Sequence, residues 1–196
     1  MEHKAFIFDT QGFNKELSPL ILTSGQTGDR QPLKGFITNY MGKARSPYSK
    51  GLLECDWENE LENGDVQELA DFAMTCYYLP EADRGLVYSW DGLLEALRQM
   101  PIEWDAEYCI LGRPLETASF TLDPGRMGTG FVQAEDIPAI FRELAAQKEL
   151  LIAQGLPSSE ETLYELTVAE LTEAFDQLIS LYKDAMENNC GLLMTF

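Results

Sequence analysis

With 196 residues, the chain can bury about 70% of the surface its unfolded form exposes, so it needs neither disulfide nor metal to fold as one domain. Thirty-three Asp and Glu against 14 Lys and Arg leave a formal net charge of -19, a sign that repels nucleic acid and anionic lipid. No apolar run approaches the ~20 residues of a membrane span, so neither nucleic acid nor a membrane is an expected partner.

Ala5-Phe6-Ile7-Phe8 reads as a short buried strand. It is too brief for the core of a signal peptide, which predicts a cytoplasmic protein. Leu20-Ile21-Leu22 reads as a second strand, and Gly35 to Tyr40 as a third. Ser24, Gly25, Gly28, Asp29 and Pro32 mark the stretch between them as a loop. A first helix is predicted from Asp65, its N-cap, to Leu79, because Leu69, Phe72, Ala73 and Cys76 recur at helical spacing and Pro80 ends the run. A second is predicted from Ser89 to Met100 on Trp90, Leu93, Leu94 and Leu97. A third starts near Ala134, tolerates Pro138 in its first turn and exits at Gly155.

The fourth helix carries the clearest signal. Thr167 and Glu170 form a capping box. Val168, Leu171, Phe175, Leu178, Ile179, Tyr182, Ala185 and Met186 then hold one face, and Asn188 and Asn189 favour a left-handed end. Leu192 to Phe196 reads as a terminal strand docked into a sheet. No repeat or low-complexity linker divides the chain. The order of elements predicts one α+β domain over residues 1–196, a layered mixed sheet with packed helices whose last helix is followed by that strand.

Charge is unevenly placed. Residues 1–50 carry seven Lys/Arg and four Asp/Glu, whereas residues 51–196 carry seven and 29. Glu54, Asp56, Glu58, Glu60 and Glu62 alternate with Cys55, Trp57, Asn59 and Leu61, and Asp65, Glu68 and Asp71 extend the run to eight carboxylates without a cation. The calcium-loop pattern D-x-[DN]-x-[DN]-G is absent. Two uses remain open for this block: a solvated face, or a docking surface for a basic partner or mimic of nucleic-acid phosphate.

Other patterns have both a chemical and a structural explanation. Asp9 after Phe6-Ile7-Phe8 resembles the nucleophile strand of haloacid-dehalogenase-like phosphatases, but Gln11 stands where the second acid belongs. Pro124 to Gly130 is a glycine-rich loop carrying Arg126 that suits either a phosphate cradle or a turn needing positive φ. Trp90 and Asp91 open a helix, where Asp91 suits the helix dipole. Together with Arg113 and Arg126 they are the candidate lining of a small-molecule cleft. Cys55, Cys76, Cys109 and Cys190 form no CxxC pair and His3 is the single imidazole, so neither a zinc site nor a His-based catalytic arrangement is expected, and the thiols are expected to be reduced and unpaired.

Ser89 to Leu94, Cys109-Ile110-Leu111-Gly112, the helix closing on Leu178 to Tyr182 and the short apolar tail, taken in order, resemble the YfbM-like family, a bacterial group of uncharacterised function. Gly35 to Tyr40 resembles the start of its members. The likeness covers residues 35–196, sets residues 1–34 apart as an N-terminal extension and implies a layered α/β fold. It brings no catalytic residues and no cofactor. The resulting expectation is a non-enzymatic, immunity-type interaction protein whose acidic block binds a basic protein. The alternative is a small-molecule-binding domain or weak enzyme around Trp90, Asp91, Arg113 and Arg126. Neither the partner's identity nor the oligomeric state follows from the residues.

Overall fold

The computed structural model describes residues 1–157 and 162–196. Its centre is a three-stranded sheet. Strand β1 (Lys4–Phe8) and strand β4 (Thr129–Val132) pair with opposite sides of strand β5 (Gly191–Thr195). Lys4 faces Thr195 and Phe8 faces Gly191 across one seam, and Thr129 faces Thr195 and Val132 faces Leu192 across the other. Both pairings are antiparallel rather than mixed. A separate hairpin joins β2 (Glu116–Thr117) to β3 (Phe120–Thr121).

Side chains alternate across a strand, so each strand feeds two cores. Ala5, Val132, Leu192 and Met194 enter one core. It is closed by helices α5 (Trp90–Arg98), α6 (Ala106–Leu111), α7 (Ile137–Ala146) and α9 (Val168–Glu187), with α8 (Lys148–Gln154) at its margin. Phe6, Phe8, Phe131 and Leu193 enter the other core, closed by α1 (Thr10–Glu16), α2 (Ser18–Thr27), α3 (Gln31–Asn39) and α4 (Val66–Met74). The result is the expected α+β layering, with the terminal strand in the middle of the sheet. Residues 1–34 supply β1, α1, α2 and the start of α3, and Phe6, Phe8, Phe13, Leu17, Ile21 and Leu33 are all core residues. They are built into the domain rather than appended to it.

Two predicted strands are helices instead. Leu20-Ile21-Leu22 lies in α2, where Pro19 enters the first turn and Gly28 closes the helix at φ 73°. Its buried residues Ser18, Ile21 and Ser24 recur every third position, a helical period that a three-residue apolar run conceals. Gly35 to Tyr40 belongs to α3 and its C-cap, with Leu33, Phe36 and Ile37 buried at helical spacing. Helix α4 stops at Met74, short of Leu79. The Thr75 hydroxyl lies 2.6 Å from the Phe72 carbonyl and accepts the Arg45 N–H at 2.9 Å, which ties the helix end to the 44–46 segment. The third predicted helix is two, α7 and α8, broken at Gln147.

His3, the single imidazole, is fully buried. Its Nδ1 accepts the Leu86 N–H at 3.1 Å, so Nε2 must carry the proton donated to the Ile110 carbonyl at 2.8 Å. Burial lowers its pKa despite the raising effect of the Ile110 bond and of Asp83, which favours the neutral ring. Gly112 ends α6 at φ 69°, and a Cβ there would lie 2.6 Å from the Phe131 backbone nitrogen, so only glycine lets α6 close onto β4. No helix among the described residues is long and apolar enough to cross a membrane.

Helix α9 has its capping box: Thr167 Oγ1 accepts the Glu170 N–H at 3.2 Å, and Glu170 accepts the Thr167 N–H at 2.8 Å. Phe175, Leu178 and Tyr182 are fully buried. Ile179 is only half-buried, and Leu181 takes the interior place beside them. The Tyr182 hydroxyl donates to the Cys109 carbonyl at 2.8 Å, tying α9 to α6. Phe175→Ala should therefore lower the unfolding free energy by about 3–5 kcal/mol in denaturant melts. A loss under about 1 kcal/mol would show that this face is not core.

Candidate functional site

The acidic block is an exposed ledge on a buried anchor. Glu54, Asp56, Glu58, Glu60 and Glu62 are all exposed, while Leu53 just before them and Trp57 among them are buried. The Trp57 ring packs 6.1 Å from Phe72 of α4, and a 3-10 turn over Trp57–Glu60 fans the carboxylates outward. Like charges at this density repel one another, so an apolar anchor is needed to hold the segment against the fold. Among the described residues, the ion pair made by this row is that of Glu58 with Lys34 of α3.

Glu68 has a different place from the other acids. It is buried at 7% exposure in the first turn of α4. Its carboxylate accepts the backbone N–H groups of Glu62, Asn63 and Gly64 at 2.7, 2.9 and 2.6 Å, and the Tyr48 hydroxyl at 2.9 Å. Burial alone would raise its pKa, but those four donors together hold it below the ordinary carboxylate value. Glu68 therefore organises the ledge from beneath, and the exposed charge lies on its neighbours. Asp65 likewise works locally, as the N-cap of α4, accepting the Glu68 N–H at 2.9 Å.

Asp71 is half-buried one turn further along α4. Burial first, and the nearby Glu68 charge second, push its pKa up to about 6. It lines a polar cleft of about 430 Å³ together with Tyr48, Glu62, Asp65, Glu68 and Arg126. Arg126 reaches this acidic cleft from a left-handed backbone position, φ 55°. The Met127 and Gly128 N–H groups of its loop are donated to Asp123 at 3.2 and 3.0 Å, and the chain continues into a strand, so the segment is a side-chain-braced turn and not a phosphate cradle.

The other candidate residues lie apart from that cleft. Trp90 is buried and donates its indole N–H to the Met1 carbonyl at 3.1 Å, with its ring edge-on to Phe196. Asp91 is buried and accepts the Leu163 N–H. Arg113 is exposed; its backbone pairs with Phe131 and its guanidinium lies 4.6 Å from the Tyr108 ring centroid. Asp9, the other candidate acid, caps α1 by accepting the Gly12 N–H at 2.9 Å. The four cysteines are unpaired, and burial pushes the thiols of Cys76 and Cys109 up to about 11 and about 12. Sequence reasoning missed Tyr48 and Lys34, which complete the ledge. Neither belongs to a motif, and tertiary packing alone brings them within reach of residues 58–68.

Two consequences are measurable. Glu68→Gln leaves backbone donors unsatisfied and should cost about 2–3 kcal/mol of stability at neutral pH. The stabilisation from a lowered carboxylate pKa is present above the unfolded value and fades as pH falls, so the penalty should shrink in acid; a pH-independent penalty would remove Glu68 as a charged clamp. Asp71 behaves in the opposite sense. Its raised pKa makes the protonated form the better one, an advantage complete below the unfolded value and lost as pH rises through about 6. Asp71→Asn should then add about 1–2 kcal/mol at pH 8 and almost nothing at pH 4, since solvent contact reduces the full effect of the shift. Equal gains at both values would dismiss the buried-carboxylate account.

No protein-family model matches the chain, and no curated protein or solved structure matches it. Its own geometry is therefore what supports a function.

Proposed function

We propose that the protein is a non-enzymatic, immunity-type interaction protein that binds a basic protein through Glu54, Asp56, Glu58, Glu60 and Glu62. The observation that carries this reading is the combination of five exposed carboxylates with a rigid support: Trp57 is buried beneath them and Glu68 holds the following loop by three backbone hydrogen bonds. A charged row on a mobile tail would lose ordering entropy on binding. A row already held in place loses much less. Dense negative potential of this kind steers a cationic partner and raises its association rate more than it sets the final affinity.

The placement of the other groups favours the same reading over a catalytic one. The single imidazole is occupied on both nitrogens inside the fold, and Cys76 and Cys109 are buried thiols held neutral at physiological pH. Trp90 packs against Phe196 and Asp91 holds the Leu163 N–H, both away from the cleft that Arg126 enters.

Replacing Glu58, Glu60 and Glu62 with Gln preserves shape and removes three charges. The association rate with a basic protein captured by the wild-type chain should fall about tenfold at low salt. The gap between variant and wild type should close as salt shortens the Debye length from about 10 Å at 0.1 M to about 3 Å at 1 M. Equal rates for the two proteins in low salt would mean that the ledge is only a solvated face.

A further inference from the structure

Strand β1 is at the edge of the sheet, and the segment from Tyr77 to Val87 covers its free side. Val87 and His3 exchange backbone hydrogen bonds of 2.8 and 3.1 Å, Arg84 donates to the Ala5 carbonyl at 2.8 Å, and Asp9 donates to the Tyr77 carbonyl at 3.0 Å. Outward-facing backbone groups alternate along a strand, so Ile7 should be the next to be covered. Instead the covering segment bows away. Among the described residues no partner is recorded for the Ile7 backbone on that side, and a cavity of about 620 Å³ opens there. That volume is within the range of about 300–1,000 Å³ typical of small-molecule sites.

The walls of this cavity are unlike the rest of the protein. Ile7, Tyr77, Tyr78 and Ala82 make an apolar interior, and Leu52 and Leu79 lie at its margin with 54% and 52% of their surfaces exposed. Set among them are Lys43, Arg45 and Arg84, three of the 14 cations in a chain of net charge -19. Two are already partnered: Arg84 pairs with Asp184, and Arg45 lies 3.7 Å from Glu81. Lys43 makes no ion pair among the described residues, and its Nζ is 5.2 Å from the Tyr77 ring centroid. The nearby Glu16 carboxylate accepts the hydroxyls of Tyr40 and Tyr77, each at 3.2 Å. The Cys76 thiol forms part of the wall, and burial keeps it protonated, so it offers a surface and not a nucleophile.

We infer that this cavity is a binding site for a small amphipathic carboxylate, its apolar body against Leu52, Tyr78 and Leu79 and its head at Lys43, with the edge N–H of Ile7 as a second donor. The surrounding negative field disfavours polyanions, and one local cation without an ion pair among the described residues suits one negative charge. The apolar mouth excludes a bare inorganic anion as the preferred ligand, because such an ion would leave Leu52 and Leu79 in water.

Decanoate, kept below its micelle concentration, is the probe, with decanol and acetate as controls for body and head. Titration calorimetry should give one saturable decanoate site, and the amides of Ile7 and Cys76 should shift with the same isotherm. Lys43→Met should weaken decanoate at least tenfold and leave decanol unchanged; Lys43 is exposed, so the variant should keep the wild-type circular dichroism. Leu79→Ser should weaken both. The Gln-substituted ledge variant should bind decanoate as the wild type does, which separates failure of this site from failure of the acidic ledge. Decanoate and decanol binding alike, decanoate undiminished by Lys43→Met, or shifts confined to other amides would each overturn the assignment.

Discussion

The architecture depends on a five-residue strand at the C-terminal end. Strand β5 has no free edge: β1 and β4 take both of its sides, so its backbone groups are paired along its length. Its Leu192 and Met194 enter one core and its Leu193 the other. The helical layers on the two faces of the sheet are thus joined through three adjacent side chains. The constraint is strict, because a one-residue slip would exchange every side chain between the cores. Gly191 shows how closely it is built. A Cβ there would lie 2.2 Å from the Val132 carbonyl oxygen.

The same economy of partners governs the charged region. Eight carboxylates in 18 residues would expand a loop unless something held it. The fold answers by dividing their roles. Glu68 turns inward and satisfies three backbone N–H groups, Asp65 caps α4, and Trp57 buries an indole beneath the row. The five acids from Glu54 to Glu62 are free to face solvent. Stability and surface charge are thus supplied by different members of one cluster, and removal of an outer acid need not disturb the support.

Charge segregation along the chain is preserved in space. The 50 N-terminal residues, net positive, contribute Lys34 to the ledge and Lys43 and Arg45 to the apolar cavity at the β1 edge. A strongly acidic protein can therefore present two surfaces of different character, one repelling anions and the other lined with three of its 14 cations. Tyr78 lines that cavity and also a second cleft, to which Lys50, Asp71 and Asp83 contribute.

Local signals were enough for much of the molecule. The capping box and apolar stripe of α9, the Asp65 cap of α4, the α5 stripe and the terminal strand were legible because each depends on residues within a few positions of one another. The row of exposed acids was legible too, since nothing but solvent suits that density of like charge. Tertiary structure decided the rest. Apolar runs of three residues in α2 and two in α3 are too short to show a period, and burial of Ile21, Phe36 and Ile37 in the core shared with α4 and the sheet accompanies their helical form. His3 looked like a terminal residue until β1 drew it between Leu86 and Ile110, 83 and 107 positions away. Glu68 is indistinguishable from its acidic neighbours in sequence, and the inward turn of its carboxylate depends on a loop that α4 itself positions. Lys43, Tyr77 and Ile7 belong to no motif. They meet because an edge strand must be covered and the covering segment leaves one residue bare, a juxtaposition that long-range packing creates and local sequence does not encode.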